Sequence, residues 1–411
     1  MRTVGIIVEY NPLHNGHLYH IRQSRKITEA DAVVAVMSGH FLQRGEPALA
    51  DKWARAEMAL RAGCDLVLEL PVAYSAQPAQ WFAYGSVAVL HATGVVDALC
   101  FGSESGDAAT LGRIADRLSD EPEAVGSELA RLLKEGLPYP TAYAEAVRRF
   151  LRGEGAAAEA AFRLDQPNHT LGLHYLLALR RLGSPIVPYS IRRERSEYGQ
   201  TTITDGAIAS ATALRELLAK TGSMAALAPY VPAATLDILE RERRAGRAPV
   251  AWERFARPLF HQLWSLDEPR LAALAEVTEG LEHRIRRALG RLSAYSVEEL
   301  LAALKTKRYT RTKLQRTLLR ILLGHRKEEL SAQALTAELR YLRVLGFTER
   351  GRELLRRMKT RAALPVVLSA ADGDWPYLAM DARASAVYSL AFDDPDPRLA
   401  LRDYTLPPVR L

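Results

Sequence analysis

Four apolar, β-branched runs recur in the first quarter of the chain and limit its fold more than any other feature. They are TVGIIVEY, DAVVAVMS, CDLVLELP and VVDALCF, with Gly, Pro or Ser close behind and helix-like segments between them. Strands that alternate with helices predict a parallel sheet with right-handed crossovers, and SPIVPYSI adds a further strand. We therefore expect an α/β fold whose ligands bind at the carboxyl ends of the strands.

The second half of the chain has a different pattern. After about residue 225, segments such as EPRLAALAEVTEGLEHRIRRALGRL and VEELLAALKTKRYTRTKLQRTLLRILLG repeat apolar residues at helical spacing. A short extended stretch, LPVVLSAADGDW, and a helix around ARASAVYSLAF follow. The sequence predicts two domains, a catalytic α/β domain over 1–225 and a basic, all-helical domain over 226–411.

The net charge of +7 is unevenly distributed between these halves. Residues 1–225 contain 23 basic and 25 acidic residues, whereas residues 226–411 contain 32 basic and 23 acidic residues. The excess in the second half favours a polyanionic partner, although solvated helix faces can also be basic.

The sequence also indicates the cellular compartment of the protein. No apolar run approaches the roughly 20 residues that span a bilayer, and the sequence begins without a secretory signal pattern, so we expect a cytoplasmic protein without a membrane partner. Cys64 and Cys100 are the only cysteines and lack metal-ligand spacing. We interpret both as buried packing residues.

The stretch NPLHNGH follows the first predicted strand, which we place over 3–9, with a helix beginning near His17. The backbone N–H groups of Asn15, Gly16 and His17 are then expected to be free to bind an anion, and His14 and His17 can donate hydrogen bonds to it. This arrangement suits phosphoryl chemistry in which the protein supplies donors rather than a nucleophile. An ordinary helix start is the alternative. A metal site is not predicted, because these histidines and His20 lack zinc-helix spacing.

A second motif, IASATALR over residues 208–215, favours the anion-binding interpretation over an ordinary helix start. It resembles the I-S-S-T-x-I-R signature that accompanies H-x-G-H in the nucleotidyltransferase superfamily, with Ser210 and Thr212 at a helix start and Arg215 one turn inside. Hydroxyl and N–H groups there can hold the β- and γ-phosphates of ATP. The two motifs together predict a Rossmann-like nucleotidyltransferase domain.

Longer blocks narrow the resemblance further. EYNPLHNGHLYHI, MSGHFLQRGEPALADKWARAEMAL, GCDLVLELPVAYSAQPAQWFAYGSV, FGSESGD, QPNHTLGLHY, IRRERSEYG and IASATALR resemble the tRNA(Met) cytidine acetate ligase (TmcAL) family. The likeness continues through KRYTRTKLQRTLLRILL, LGFTERGRELLRRMK and DARASAVYSLAF. It is least clear over about 108–160 and 225–300.

The resemblance implies a two-step reaction with ATP as a substrate. Acetate attacks the α-phosphate to give acetyl-adenylate and pyrophosphate, and the acetyl group then passes to N4 of the wobble cytidine in elongator tRNA(Met), releasing AMP. Mg²⁺ is expected to accompany ATP. His14 and His17 are the expected catalytic residues. The whole expected ATP site comprises Ile7, Val8, Glu9, Tyr10, Asn11, His14, Asn15, Gly16, His17, His20, Gly102, Asn168, Arg193, Glu194, Ser210 and Thr212. Glu194 departs from the family pattern, which has an apolar residue after the arginine.

The segment KTKRYTRTKLQRTLLR, residues 305–320, contains seven Lys or Arg residues and no acidic residue. Such a segment can neutralise RNA phosphates, and a solvated helix face is the alternative. We expect tRNA to contact Lys305, Lys307, Arg308, Arg311, Lys313 and Arg316.

Two other functions remain open at this point. The chain could be an adenylyltransferase that transfers AMP to a small cofactor precursor, although the basic second half would then be unexplained. It could also be a non-catalytic RNA-binding protein that retains an ATP fold.

Overall fold

The computed structural model describes residues 1–192 and 209–411. Its strands occupy the runs predicted from the sequence in the first half and three further segments in the second half. The strands are β1 (Thr3–Val8), β2 (Ala32–Ser38), β3 (Leu66–Leu70), β4 (Ala98–Ser103), β5 (Val187–Arg192), β6 (Leu342–Phe347), β7 (Val366–Val367) and β8 (Val409–Arg410).

The strands form one sheet in the order β5-β4-β1-β2-β3-β6-β7, with β8 paired to β6. Strands β1 to β5 pair in parallel. The chain moves outward from β1 through β2 and β3, and then returns to place β4 on the other side of β1. This reversal creates a crevice between β1 and β4 at their carboxyl ends, where doubly wound sheets bind ligands.

Helices cover both faces of this sheet. Strand β2 shows why: all its residues are buried, and alternate residues enter two different apolar cores, as expected for a strand covered on both sides. The helices before residue 226 are α1 (Asn15–Ile27), α2 (Lys52–Arg61), α3 (Val72–Ser75), α4 (Ala79–Ala92), α5 (Ala108–Leu118), α6 (Glu123–Lys134), α7 (Tyr139–Gly153), α8 (Ala157–Ala160), α9 (Pro167–Arg181) and α10 (Ala211–Thr221).

The second half is rich in helices, as predicted. They are α11 (Ala233–Arg244), α12 (Ala256–Ser265), α13 (Glu268–Ala272), α14 (Leu281–Leu289), α15 (Val297–Leu304), α16 (Arg311–Leu323), α17 (Ala332–Ala337), α18 (Glu349–Arg361), α19 (Pro376–Ser389) and α20 (Arg402–Thr405). Short 3₁₀ helices occupy Met224–Leu227, Trp252–Phe255, Glu328–Leu330, Ala370–Asp372 and Pro397–Leu401.

The α/β class is confirmed, but the prediction of an all-helical second half is wrong in one respect. Strand β6 pairs antiparallel with β3, so the second half extends the sheet of the first. The edge of β3 would otherwise leave backbone donors and acceptors unpaired, and β6 satisfies them with an almost wholly buried strand.

A buried ion cluster also joins the two halves. The Lys52 ammonium, at the start of α2, donates to both carboxylate oxygens of Glu69 at 2.8 Å and to Asp403 Oδ1 at 2.7 Å. Glu69 belongs to β3 and Asp403 to α20, and all three side chains are at most 3% exposed. The division at 225/226 stays a prediction.

Candidate active site

A cavity of about 280 Å³ opens at the carboxyl ends of β1 and β4, at the crevice described above. It brings together most of the residues expected to bind ATP: Ile7, Val8, Glu9, Tyr10, Asn11, His14, Gly16, His17, His20, Gly102, Asn168, Ser210 and Thr212. The two sequence motifs, almost two hundred residues apart, therefore face one space. Asn15, which directly precedes Gly16 in the sequence, does not line the cavity.

His14 and His17 form the centre of the first motif. Their rings stack with centroids 3.7 Å apart, and Tyr10 meets His17 edge-on at 5.0 Å. His14 Nδ1 accepts a hydrogen bond from the Gly16 N–H at 3.1 Å, and His17 Nδ1 accepts one from the His14 N–H at 3.3 Å. A neutral imidazole that accepts at Nδ1 carries its hydrogen on Nε2. Both rings are thereby set as Nε2–H donors.

The prediction that the N–H groups of Asn15, Gly16 and His17 are free is wrong. Helix α1 begins at Asn15 with His14 as its N-cap, slightly earlier than predicted, and the first-turn donors have partners within the protein. The Asn15 N–H donates to the Tyr230 carbonyl at 2.9 Å, and the His17 N–H donates to the His14 carbonyl at 2.8 Å. The donors that this motif offers are consequently histidine side chains rather than backbone groups.

The second motif forms the start of α10, as predicted. Ser210 is the N-cap, and its hydroxyl accepts from the Ala213 N–H at 3.1 Å. The first-turn N–H groups of Ala211 and Thr212 have no acceptor within the helix, which gives this helix end a partial positive charge. Both residues line the cavity, so an anion there would meet the positive end of α10.

Arg215 lies one turn into α10 and links three parts of the site. Its guanidinium donates to the Asn11 carbonyl at 2.9 Å and to the Glu46 carboxylate at 3.0 Å. Glu46 in turn accepts a long hydrogen bond, 3.4 Å, from Gln315 of α16. This cation is therefore held beside the two sequence motifs and is connected to the second half of the chain.

The loop after β2 supplies cavity residues that the predicted ATP site omitted: Leu42, Gln43, Arg44 and Glu46. The sequence carried a signal for them, because SGHFLQRGEP follows a buried strand and places polar residues at its carboxyl end. Glu9 accepts a hydrogen bond from the Gln43 N–H at 2.7 Å, and burial raises the pKa of this carboxyl group.

The Arg55 side chain binds several backbone carbonyls near the cavity. Its guanidinium is fully buried and donates to the carbonyls of Glu9 at 2.7 Å, Ser38 at 3.0 Å and Ala50 at 3.0 Å, and also to that of Gly39. Three of these carbonyls lie at the ends of β1 and β2, and that of Ala50 lies just before α2. One side chain thus fixes the two loops that line the cavity.

Gly102 and Asn168 lie on the opposite wall. Gly102 is in β4, and Asn168 is in the first turn of α9. The Glu104 carboxylate accepts from the Asn168 backbone N–H at 3.0 Å, from Asn168 Nδ2 at 2.8 Å and from the His169 N–H at 2.9 Å. Because a carboxylate only accepts, Nδ2 must face Glu104, and the amide orientation is fixed. Arg193 and Glu194 lie outside the described residues, while the preceding Arg192 lines the cavity.

Comparison with known proteins shows the family of the chain. A family model described as HIGH nucleotidyl transferase matches residues 1–403. The tRNA(Met) cytidine acetate ligase of Acetivibrio thermocellus is 42% identical over 375 residues, covering 90% of this chain and 89% of that protein. The protein of the same name from a Geobacillus species is 39% identical over 414 residues, covering both chains completely. The chain belongs to the tRNA(Met) cytidine acetate ligase family.

Solved structures of the TmcAL family have the same fold. Thermotoga maritima TmcAL without ligand superposes with a TM-score of 0.92 at 36% identity, and TmcAL bound with α-thio ATP superposes with a TM-score of 0.90 at 35% identity. Each comparison covers 100% of both chains. The expected family and fold are therefore confirmed.

In the fold of this TmcAL-family chain, acidic residues neutralise part of the basic segment 305–320. Acidic residues from neighbouring elements pair with it: Arg311 with Glu298 through two 2.6 Å contacts, Arg316 with Glu276 at 2.8 Å, and both Arg308 and Lys313 with Glu279. The seventh basic residue, Arg320, is fully buried and donates to backbone carbonyls of Val72 and Ala76. Within 1–192 and 209–411, Lys305 and Lys307 are exposed and make no ion pair.

Three further features of the described residues concern metal ligands, membrane-spanning helices and cysteines. Those residues contain no group of three or more His, Cys, Asp or Glu side chains placed to hold a metal ion. None of their helices combines the length and apolar character needed to cross a membrane. Cys64 and Cys100 are both buried and unbridged, as expected.

Proposed function

We propose that this chain is an ATP-dependent ligase that acetylates N4 of the wobble cytidine in elongator tRNA(Met). A carboxylate oxygen of acetate attacks the α-phosphorus of ATP, the bond to the β-phosphate breaks, and pyrophosphate leaves. N4 of the cytidine then attacks the acetyl carbonyl carbon, and AMP leaves with the electron pair of the broken C–O bond. The observation that carries this proposal is the single cavity in which both nucleotidyltransferase motifs meet, in a chain closely similar to ligases of that name.

The residues of the first motif are suited to the first step. The Nε2–H donors of His14 and His17 would stabilise negative charge that spreads over the α-phosphate and the leaving pyrophosphate. Such preorganised donors typically contribute factors of about 10² to 10³ in rate. Arg215 and the N-terminus of α10 would hold the β- and γ-phosphates. Neither histidine needs to act as a base, because acetate is already ionised at neutral pH.

The opposite wall would hold the adenosine part of ATP. The Asn168 amide is oriented by Glu104 and offers an oxygen that can accept from the adenine amino group. Gly102 lacks a side chain and would let the nucleotide approach the backbone of β4 closely. We place Arg193 and Glu194 in the same binding site on the basis of the family resemblance alone.

Mg²⁺ would enter with ATP rather than in a dedicated protein site. Mg²⁺ is usually bound through substrate phosphates, water and one or two carboxylates. Glu9 and Glu46 are the carboxylates that line the cavity, which fits this mode of binding. We expect adenylation to stop in the presence of a chelator and to resume when Mg²⁺ is added.

The tRNA is expected to approach across α16. Gly45, in the loop that lines the ATP cavity, has a φ of +77° and lies against the backbone of Gln315 and Arg316, with no room for a Cβ atom. The basic segment therefore adjoins the ATP cavity directly. Lys305, Lys307, Arg308, Arg311, Lys313 and Arg316 are the proposed phosphate contacts, and the ion pairs of the last four would exchange with RNA phosphates. Action on tRNA also supports a cytoplasmic location.

The decisive experiment combines purified protein, ATP, Mg²⁺, isotopically labelled acetate and unmodified elongator tRNA(Met). Mass spectrometry of the digested nucleosides should find labelled N4-acetylcytidine, with one AMP released for each acetyl group. An adenylyltransferase would instead retain AMP in its product, and a non-catalytic binding protein would release no pyrophosphate. Either of those outcomes would refute the proposal.

A further inference from the structure

A second and larger cavity, of about 730 Å³, lies between helices α4, α6, α7 and α9. It shares α9 with the ATP cavity but uses another face of that helix: Leu171 and Tyr175 line the ATP cavity, whereas His174 and Arg181 line the second one. Its volume falls within the range of small-molecule sites. None of the residues expected to bind ATP or tRNA lines it.

One wall of this cavity is a ladder of aromatic rings. Tyr139 and Tyr143 are nearly parallel, with ring centroids 6.1 Å apart and an interplanar angle of 11°. Tyr143 in turn stacks on His174 at 5.4 Å and 29°. Tyr139, at the mouth, is 43% exposed. A planar ring that entered the cavity would find further parallel faces to stack against.

The polar atoms on this wall lack partners within the protein. Over residues 1–192 and 209–411, no hydrogen bond engages the hydroxyls of Tyr84, Tyr139 and Tyr143 or the ring nitrogens of His174. His174 is only 6% exposed, and burial lowers its pKa to about 4, so the ring is neutral at pH 7. A neutral imidazole offers one donor and one acceptor. These donors and acceptors can hydrogen-bond to water in the open cavity and to a ligand that displaces it.

Helix α6 contributes two small residues to the lining of this cavity. Gly126 and Ala130 lie one turn apart on α6, and both line the cavity. A Cβ atom built on Gly126 would meet nothing within 4 Å, so packing does not require glycine there. Glycine inside a helix destabilises it relative to alanine. A larger side chain at this position therefore has room beside the cavity.

Arg181 places a positive charge in the lining of the second cavity. The Arg181 guanidinium lies 5.5 Å from the Trp81 ring centroid and 5.3 Å from that of Tyr84. Its acidic neighbour, Glu121, is 4.0 Å away and largely exposed, which makes a weak pair. Arg181 could therefore accept an anionic group of a ligand whose ring lies deeper.

We propose that this second cavity binds a nucleobase, stacked on the Tyr139–Tyr143–His174 ladder with its phosphate or ribose toward Arg181. A nucleobase is planar, and its edge carries both donors and acceptors for the imidazole and the phenol hydroxyls. The base could belong to a free nucleoside or nucleotide or to an unpaired nucleotide of RNA. Only the RNA source rests on the proposed function.

The test is run without ATP or an ATP analogue, because either nucleotide could itself occupy the second cavity. Equilibrium dialysis measures binding of labelled adenosine, guanosine, cytidine and uridine, and filter binding measures unmodified elongator tRNA(Met) at fixed salt. Gly126→Leu fills the second cavity, and Tyr139→Ala shortens the ladder at an exposed position. Gly153→Leu is the matched control, because Gly153 is also helical, has open space and lies outside the cavity.

A free ligand predicts one additional nucleoside site per chain, weakened at least tenfold by Gly126→Leu and by Tyr139→Ala and unchanged by Gly153→Leu. An RNA ligand predicts the same loss in tRNA affinity. The proposal is overturned if no nucleoside finds a second site and both cavity variants bind tRNA like the control. Acetyl-adenylate formation is assayed separately in the same wild-type preparation, so a failure of the proposed function is recognised independently.

Discussion

Replacing Lys52 with methionine should strongly destabilise the protein. The substitution keeps the length of the side chain but removes the ammonium group that contacts Glu69 and Asp403, at 2.8 and 2.7 Å. Removing one partner of a buried ion pair typically costs about 3–5 kcal/mol. Two buried carboxylates lose their partner here, and Arg343, 3.7 Å from Asp403, compensates only partly. We expect a loss near the top of that range, against a total stability of about 5–15 kcal/mol.

Urea unfolding followed by circular dichroism at pH 7.5 measures this loss. The exposed Lys359→Met variant controls for the change of residue type. The double variant Lys52→Met, Glu69→Gln removes the charge of Glu69, leaves Asp403 paired with Arg343, and should recover part of the lost stability. If Lys52→Met lies within about 1 kcal/mol of the control, the cluster does not hold the two halves together as described.

Three other results are expected. Arg320→Met should lower the free energy of unfolding, measured in urea, by about 3 kcal/mol, because Arg320 is buried. Lys307→Met should leave that free energy unchanged and weaken tRNA binding in a filter assay. If the two variants behave alike in both assays, the distinction between a buried and an exposed basic residue is wrong. Burial lowers the pKa of His174 to about 4, so between about pH 6.5 and 4 the unfolded chain binds a proton at this residue that the folded chain does not. The contribution of His174 to stability then falls by about 1.4 kcal/mol for each unit by which the pH is lowered. His174→Gln should reduce the pH slope of stability by that amount in urea titrations, and identical slopes would refute this. Glu104→Ala releases the Asn168 amide and should raise the Kd for ATP about tenfold in calorimetry, and an unchanged Kd would exclude the positioning role.

The sequence predicted the parallel sheet well because the signals for β1 to β5 are local. Each of these strands is a short apolar run with turn residues near its end, and both motifs that face the cavity follow such runs. The cavity-lining loop over 42–46 lies in one of the blocks that resemble the TmcAL family, but the predicted ATP site did not include it. Many of the residues expected to bind ATP could be collected because they lie at or near the carboxyl ends of β1 and β4, a consequence of topology rather than of any single contact.

Features that depend on distant pairing could not be predicted in this way. Strand β6 joins β3 across more than 270 residues, and its sequence, LRVLGF, lies between helices in a region of helical periodicity. The acids that neutralise Arg311 and Arg316 come from other elements, so the basic segment looks more exposed in sequence than in the fold. His14 as the N-cap likewise engages backbone donors that the motif alone appeared to leave free.

The central claim is that the cavity activates acetate with ATP, and isotope exchange tests it most directly. Protein, ATP, Mg²⁺, acetate and labelled pyrophosphate are combined without tRNA. We predict acetate-dependent transfer of label into ATP, reduced by about 10² or more in His14→Ala and in His17→Ala, with tRNA binding intact. Exchange that does not require acetate, or that survives loss of both histidines, would contradict the account.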